Sequence, residues 1–209
     1  MIGFFKNIFK NNKDKKDNKD KKIKYLVVGL GNPGGEYTHT RHNIGWDSID
    51  ELAEGCITEF ESKRYGSINN LRYRGRNLIL LKPTTFMNLS GNAVRYWLKK
   101  EKIPLENFIV ILDDVDLEFG RIRMKKKGSG GSHNGLNNII ESLGTDKFNR
   151  IRFGIGDDFK RGQKVDFVLS KFTDEEMEIL KTRKKVAADA VKCYVMEGMD
   201  NAMNKFNNK

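Results

Sequence analysis

Two short runs, KYLVVGL at 24–30 and NFIVIL at 107–112, are apolar at successive positions rather than at alternate ones. Runs this short, rich in β-branched residues and closed by a turn or by charge, read as strands buried on both faces. This constrains the fold more than any other feature, because such strands need a layer of helices on each side. Helical spacing supplies the layers. NIGWDSIDELAEG places Ile44, Ile49 and Leu52 on one face, and SGNAVRYWLKKEK and NGLNNIIESLG read as further helices. TDEE at 173–176 is a capping box opening a long helix that stops at Gly198, and Met199, Met203 and Phe206 mark a short final helix.

The remaining strands differ in character. Residues 65–82 read as a hairpin followed by a second strand. GRIRMKKK and RIRFGIG alternate, the latter setting Ile151, Phe153 and Ile155 opposite Arg150 and Arg152. DFVLSKF reads as a last edge segment. Buried strands together with alternating ones imply one three-layer α/β/α domain around a mixed, mostly parallel twisted sheet. Ligands in such sheets gather beyond the carboxyl ends of strands. Asn32 and Asp113 occupy that kind of position.

The 209 residues suffice for one domain with a proper core, and we place it at 23–209. Residues 1–22 form a basic N-terminal extension, expected to be disordered, with an amphipathic anchor or an extra RNA-binding arm as alternatives. Eight Lys against three Asp give this segment +5 of the net +11, so the domain itself carries +6. A surplus spread this way suits nucleic acid or another anionic surface. Cys56 and Cys193 lie in no CxxC pattern, and a reducing cytosol is the simplest compartment. No apolar run approaches a membrane span, and Lys6 and Asn7 interrupt any signal-like core, so no membrane partner is expected.

Gly29-Leu-Gly31-Asn-Pro-Gly34 matches the GxGxxG spacing of dinucleotide loops. Pro33 removes an N–H from the cradle, no helix clearly opens at the last glycine, and no ribose-binding acid follows a second strand. The glycines instead shape a turn that presents Asn32. His39, His42 and His133 are the only histidines. With Asp113 they form a conceivable zinc set, but HxxH lacks the i,i+4 spacing of helical metal pairs. An acid from the Asp113, Asp114, Asp116 cluster beside His42 would instead fix an imidazole as a general base. Asn88 and Asn134 each precede a helix, where N-capping is the ordinary role, though their amides also suit a peptide backbone. Arg121, Arg123, Lys125, Lys126 and Lys127, joined by Arg150 and Arg152, suggest a phosphate-binding face, with GSGG adding backbone N–H groups.

GLGNPGGEYTHTRHNIG, KPTTFMNLSG, ILDDVDLEFGRIR, KGSGGSHNGLNNII and FNRIRFGIG occur together and in order. Over residues 23–209 the chain closely resembles bacterial peptidyl-tRNA hydrolases. The resemblance implies a monomeric, cytoplasmic α/β/α enzyme that cleaves the ester between a peptide and the 3′ end of tRNA, with no cofactor and no metal. It implies His42 as general base and Asp113 as its supporting carboxylate. Asn32 matches the position that tells N-blocked from free aminoacyl-tRNA. Tyr37, Phe86, Met87, Asn88 and Asn134 match positions lining the cleft for peptide and terminal adenosine, with His133 at its edge. Lys125 and Arg152 match cations that hold the 5′-phosphate. Two features depart from the pattern: Ser132 stands where glycine is usual, and the N-terminal extension is not required.

Overall fold

The computed structural model describes residues 23–207. The expectations for residues 1–22 therefore lie outside the described residues. Seven strands form one sheet in the order β2-β3-β4-β1-β5-β7-β6. In chain order they are β1 (Lys24–Gly29), β2 (Glu61–Lys63), β3 (Gly66–Tyr73), β4 (Arg76–Pro83), β5 (Phe108–Asp114), β6 (Ile122–Lys125) and β7 (Asn149–Gly154). The two apolar runs are β1 and β5, neighbours at the centre, with Leu26 opposite Phe108 and Val28 opposite Val110. Parallel pairing is confined to β4, β1, β5 and β7, while the outer strands pair antiparallel.

The helices are α1 (Ile44–Ala53), α2 (Ser90–Glu101), α3 (Asn134–Leu143), α4 (Lys164–Leu169), α5 (Asp174–Glu197) and α6 (Met199–Phe206). Alternation along the strands divides them between two faces. Tyr25, Val27, Ile109 and Ile111 pack with apolar residues of α1, α5 and α6. Leu26, Val28, Val110 and Leu112 pack with those of α2 and α3. This is the α/β/α architecture that doubly buried strands require. Among the described residues no helix is long and apolar enough to cross a membrane.

Two readings of local structure change. Residues 61–63 add a third strand to the expected hairpin region, so β2, β3 and β4 make a meander. DFVLSKF is not an edge strand: Lys164–Leu169 is a short helix, followed by a single bridge between Thr40 and Lys171. The helix buries Val168 and lays Phe167 against Phe159 and the Arg41 guanidinium. That seats Phe167 and Val168 without a sheet edge, while Val165 and Leu169 stay exposed.

The chain leaves β1 toward β2–β4 and leaves β5 toward β6 and β7, in opposite directions across the sheet. The gap between the carboxyl ends of β1 and β5 is therefore the topological switch point where a ligand crevice opens. The two ends are stitched together by Leu30 N–H donating to the Ile111 carbonyl, 2.9 Å. Close approach of α1 shapes the same place: a Cβ on Gly45 would meet the Leu30 N and O at 2.5 Å, and one on Gly29 the Gly45 O at 2.1 Å. Of the GxGxxG glycines, Gly29 and Gly31 allow close packing against α1, a role beyond the turn expected of them, while Gly34 sits in the turn itself with a φ of 120°.

Candidate active site

His42 sits in a single 3₁₀ turn, Arg41–Asn43, immediately before α1. Both its neighbours are anchored. Arg41 is buried, donates from Nη1 and Nη2 to the two carboxylate oxygens of Glu176, each at 2.8 Å, and lies over Phe167 and Phe172. Asn43 bonds both ways to the backbone of Asn32, accepting from its N–H at 2.8 Å and donating to its carbonyl at 3.0 Å. The imidazole between these two anchors has little freedom.

Asp113 comes from the end of β5, every residue of which is buried. Both its oxygens lie 2.9 Å from His42 Nδ1, and His133 Nε2 is 3.0 Å from Oδ1. His133 is the N-cap of α3, and its Nδ1 accepts the Leu136 N–H at 3.2 Å. A ring nitrogen that accepts carries no proton, so the hydrogen-bond network puts the His133 proton on Nε2, aimed at Asp113. The carboxylate thus sits between two imidazole donors, whose rings lie 4.9 Å apart, centroid to centroid.

The electrostatics follow. Burial would raise the Asp113 pKa, but the two imidazoles together outweigh it and hold the carboxyl well below the usual carboxylate range. Burial would likewise lower the pKa of His42. The charge and hydrogen bond of Asp113 reverse that and leave it above its ordinary 6.5, with Lys164 pulling the other way. With Nδ1 turned to Asp113, Nε2 is the nitrogen left for chemistry.

His42, Asp113 and His133 are also the only trio among the described residues with donor atoms close enough for a metal ion. The cap at His133 Nδ1 leaves a proton, not a lone pair, on the nitrogen facing Asp113, so hydrogen bonding accounts for the cluster. His39, the remaining member of the conceivable zinc set, lies elsewhere, with its Nδ1 3.2 Å from Asp47.

A cavity of about 330 Å³ opens over the trio, lined also by the cations Lys125, Lys127, Arg152 and Lys164 and by Asp114 and Asp116. These cations are not equivalent. Arg152 Nε donates to Asp114, and its Nη2 lies 3.7 Å from Asp116, so much of its charge is answered within the protein. Lys125 and Lys164 have no carboxylate partner among the described residues. Arg150 does not belong to the phosphate face: it is buried and donates to the carbonyls of Gly128, Ser129 and Asp146, bracing the glycine-rich loop.

The family described as Peptidyl-tRNA hydrolase matches residues 26–209. The chain belongs to the peptidyl-tRNA hydrolase family. A peptidyl-tRNA hydrolase of Bacteroides fragilis is 53% identical over 187 residues, which cover 90% of this chain and 100% of that protein. One from Phocaeicola vulgatus is 51% identical over 187 residues, with the same coverage of 90% and 100%. The crystal structure of peptidyl-tRNA hydrolase from Acinetobacter baumannii is similar at a TM-score of 0.82 and 34% identity, covering 88% of this chain and 94% of that one.

Within this peptidyl-tRNA hydrolase fold, the residues singled out from the sequence fall into two groups. His42, Asp113, His133, Asn134, Lys125 and Arg152 line the one cavity. Asn32 and Met87 adjoin it: Asn32 Oδ1 accepts the Met87 N–H at 2.8 Å, and a Cβ on Gly135 would meet both the Met87 sulfur and the His133 ring. Tyr37, Phe86 and Asn88 do not line that cavity; Phe86 is 56% exposed and Asn88 also faces solvent. Neither asparagine is a cap. Asn88 lies inside a 3₁₀ turn, Met87–Leu89, and Asn134 is the first residue of α3, whose cap position His133 already fills. No hydrogen bond within the described residues occupies either amide.

Sequence reasoning missed Arg41, Asn43, Glu176 and Lys164, and singled out Ser132 only as a departure from the family pattern. The first two flank His42 in TRHN, and a buried-type charge beside a candidate base was the available signal. Glu176 was visible only as a capping-box acid. It fills both roles, its Oε2 accepting the Thr173 N–H at 2.8 Å as well as binding Arg41.

Proposed function

We propose that this protein hydrolyses the ester joining a peptide to the 3′ end of tRNA, with His42 as general base and Asp113 as its orienting carboxylate. The observation that carries the reading is the Asp113–His42 pair at 2.9 Å, facing a cavity lined also by cations. His42 Nε2 takes a proton from water as that water attacks the ester carbonyl. Asp113 stabilises the imidazolium that forms. The tetrahedral intermediate collapses with loss of the ribose hydroxyl, which recovers its proton from His42. No covalent enzyme intermediate and no metal are required.

An acyl ester is activated relative to an amide, and one well-placed base supplies on the order of 10²–10⁴-fold. The uncommitted amides of Asn88 and Asn134, with Asn32 and Met87 beside them, suit a substrate whose side chains vary but whose peptide backbone does not. Tyr37 and Phe86 extend the peptide-binding surface. Lys125, with Arg152 beside it, binds tRNA phosphate irrespective of sequence. In this reading the protein is a cytoplasmic monomer acting on peptidyl-tRNA released early from ribosomes. Residues 23–209 form the catalytic unit and residues 1–22 an extension that turnover does not need.

The test is hydrolysis of a purified N-acetyl-aminoacyl-tRNA by wild type and His42→Ala side by side. The variant is expected to lose about 10²–10⁴-fold in kcat/KM while tRNA affinity persists. Full activity in the variant refutes the assignment. An RNA-binding protein without catalysis would show no turnover in either.

A further inference from the structure

Lys164, the first residue of α4, lines the same cavity as His42. Its ammonium donates to the hydroxyl of Ser132, in the glycine-rich loop immediately before His133. Ser132 is itself exposed, and Lys164 is half-buried. A hydroxyl positions an ammonium without cancelling its charge, and no carboxylate among the described residues does so. Lys164 is therefore a fixed, unneutralised cation at a catalytic cavity. In this it differs from Arg152, which is answered by Asp114, and from Arg150, which is spent on carbonyls.

The cations lining the cavity also mark two separate ends. Lys164 is held by Ser132, the residue before His133, whose ring lies 4.9 Å from that of His42, and its charge opposes that of Asp113 on the imidazole. Lys125 lies on β6 opposite Arg150 of β7, two positions from the Arg123–Arg152 pair. One end therefore lies beside the imidazole and the other beside Arg152. An RNA 3′ end placed with its ester at His42 presents a phosphate to each end. The phosphate nearest the ester is the terminal phosphodiester, separated from it by a single ribose. A phosphate further along the RNA would fall to Lys125.

Resting on the hydrolase reading above, we infer that Lys164, held by Ser132, binds the terminal phosphodiester of the tRNA 3′ end and seats the ester against His42. It is a substrate-binding residue distinct from the Lys125 end. An ammonium–phosphate contact is charge-assisted and roughly twice as strong as a neutral hydrogen bond. Ser132 contributes by ordering the side chain in advance, which reduces the entropy lost on binding.

The experiment is a cycle of two perturbations. Wild type and Lys164→Gln are each given N-acetyl-aminoacyl-tRNA, unmodified or carrying a neutral methylphosphonate at the terminal phosphodiester. The pH is kept well above the acidic limb of the rate profile, so that the groups facing His42 (Asp113 from β5, His133 from α3, Lys164 from α4) hold their charge states. For wild type, the methylphosphonate is expected to lower kcat/KM about tenfold. Lys164→Gln is expected to lose about tenfold on the unmodified substrate and to be nearly indifferent to the modification. Lys164→Arg should keep the sensitivity to the modification, and Lys125→Ala should keep it as well. Ser132→Gly should weaken it two- to threefold. Independent, multiplicative effects of the two perturbations overturn the inference, as does an unaffected Lys164→Gln. Failure of wild type to cleave the unmodified substrate would instead refute the hydrolase reading itself.

Discussion

Asp113→Asn keeps the size of a buried side chain but changes which hydrogen bonds it can make. The carboxylate accepts from His42 Nδ1 at 2.9 Å and from His133 Nε2 at 3.0 Å. In an amide one of the two oxygens lying 2.9 Å from His42 Nδ1 is replaced by an NH₂ group, which offers that nitrogen a proton instead of accepting one. His133 decides the orientation. Its Nδ1 is committed to the Leu136 N–H, so its Nε2 must donate, and the amide oxygen turns to it. The NH₂ then faces His42 Nδ1, which becomes an acceptor and moves the ring proton to Nε2. That is the nitrogen required to take a proton from water. The variant therefore holds its base in the wrong tautomer, and the whole general-base contribution is at risk, about 10²–10⁴-fold or roughly 3–5 kcal/mol of barrier. The pH profile moves with a definite sign. Asp113 holds the His42 pKa above 6.5 in the wild type, so its removal shifts the acidic limb of kcat/KM to lower pH. The assay is the pH dependence of kcat/KM on N-acetyl-aminoacyl-tRNA, alongside a thermal melt showing that the variant stays folded. A second substitution sharpens the test. His133→Leu in the Asp113→Asn background removes the donor that fixes the amide, so the oxygen can turn to His42 and part of the activity should return, about tenfold. Activity of Asp113→Asn within fivefold of wild type, with an unmoved acidic limb, would refute this account of the site.

Lys125→Ala should reduce the slope of log affinity for tRNA against log salt by about 1, while Arg152→Ala should change it less, because Asp114 and Asp116 already answer its guanidinium. Filter binding across a salt series separates the two, and equal slopes for both variants would contradict the assignment. Arg41→Met removes one partner of a largely buried ion pair and leaves Glu176, 22% exposed, without its guanidinium. Stability to urea is expected to fall by roughly 3 kcal/mol, and kcat with it, because the turn carrying His42 loses an anchor. Gly45→Ala forces a methyl onto the backbone of Leu30 and Ile111. It should cost about 3 kcal/mol or prevent folding, and a melting temperature equal to wild type would show that α1 has room to withdraw. A chelator should leave turnover unchanged; loss restored by zinc would mean that the His42, Asp113, His133 trio holds an ion.

Local sequence determined the layers. Consecutive apolar residues in β1 and β5 admit only burial on both faces, and the spacing of Ile44, Ile49 and Leu52, the TDEE box and Gly198 mark helices by short-range geometry alone. It also determined the inventory of chemical groups, His42 and Asp113 among them, because the motifs around them are contiguous. Where local signals compete, tertiary packing decided. DFVLSKF has enough apolar residues for a strand, yet it coils into α4 because Arg41 and Phe159 receive Phe167. Arg150 sits on an alternating strand whose arginine face looks wet, but three carbonyls of the neighbouring loops draw it into the interior. Asn134 has the right residue type for a cap, and a histidine one position earlier takes the role because its other nitrogen is claimed by Asp113. Such outcomes depend on groups tens of residues apart, and the Asp113–His42 contact itself spans 71 positions. The sequence names the acid and the base. Only the parallel register of β1 beside β5, which sets the two strand ends at one crevice, makes them a pair.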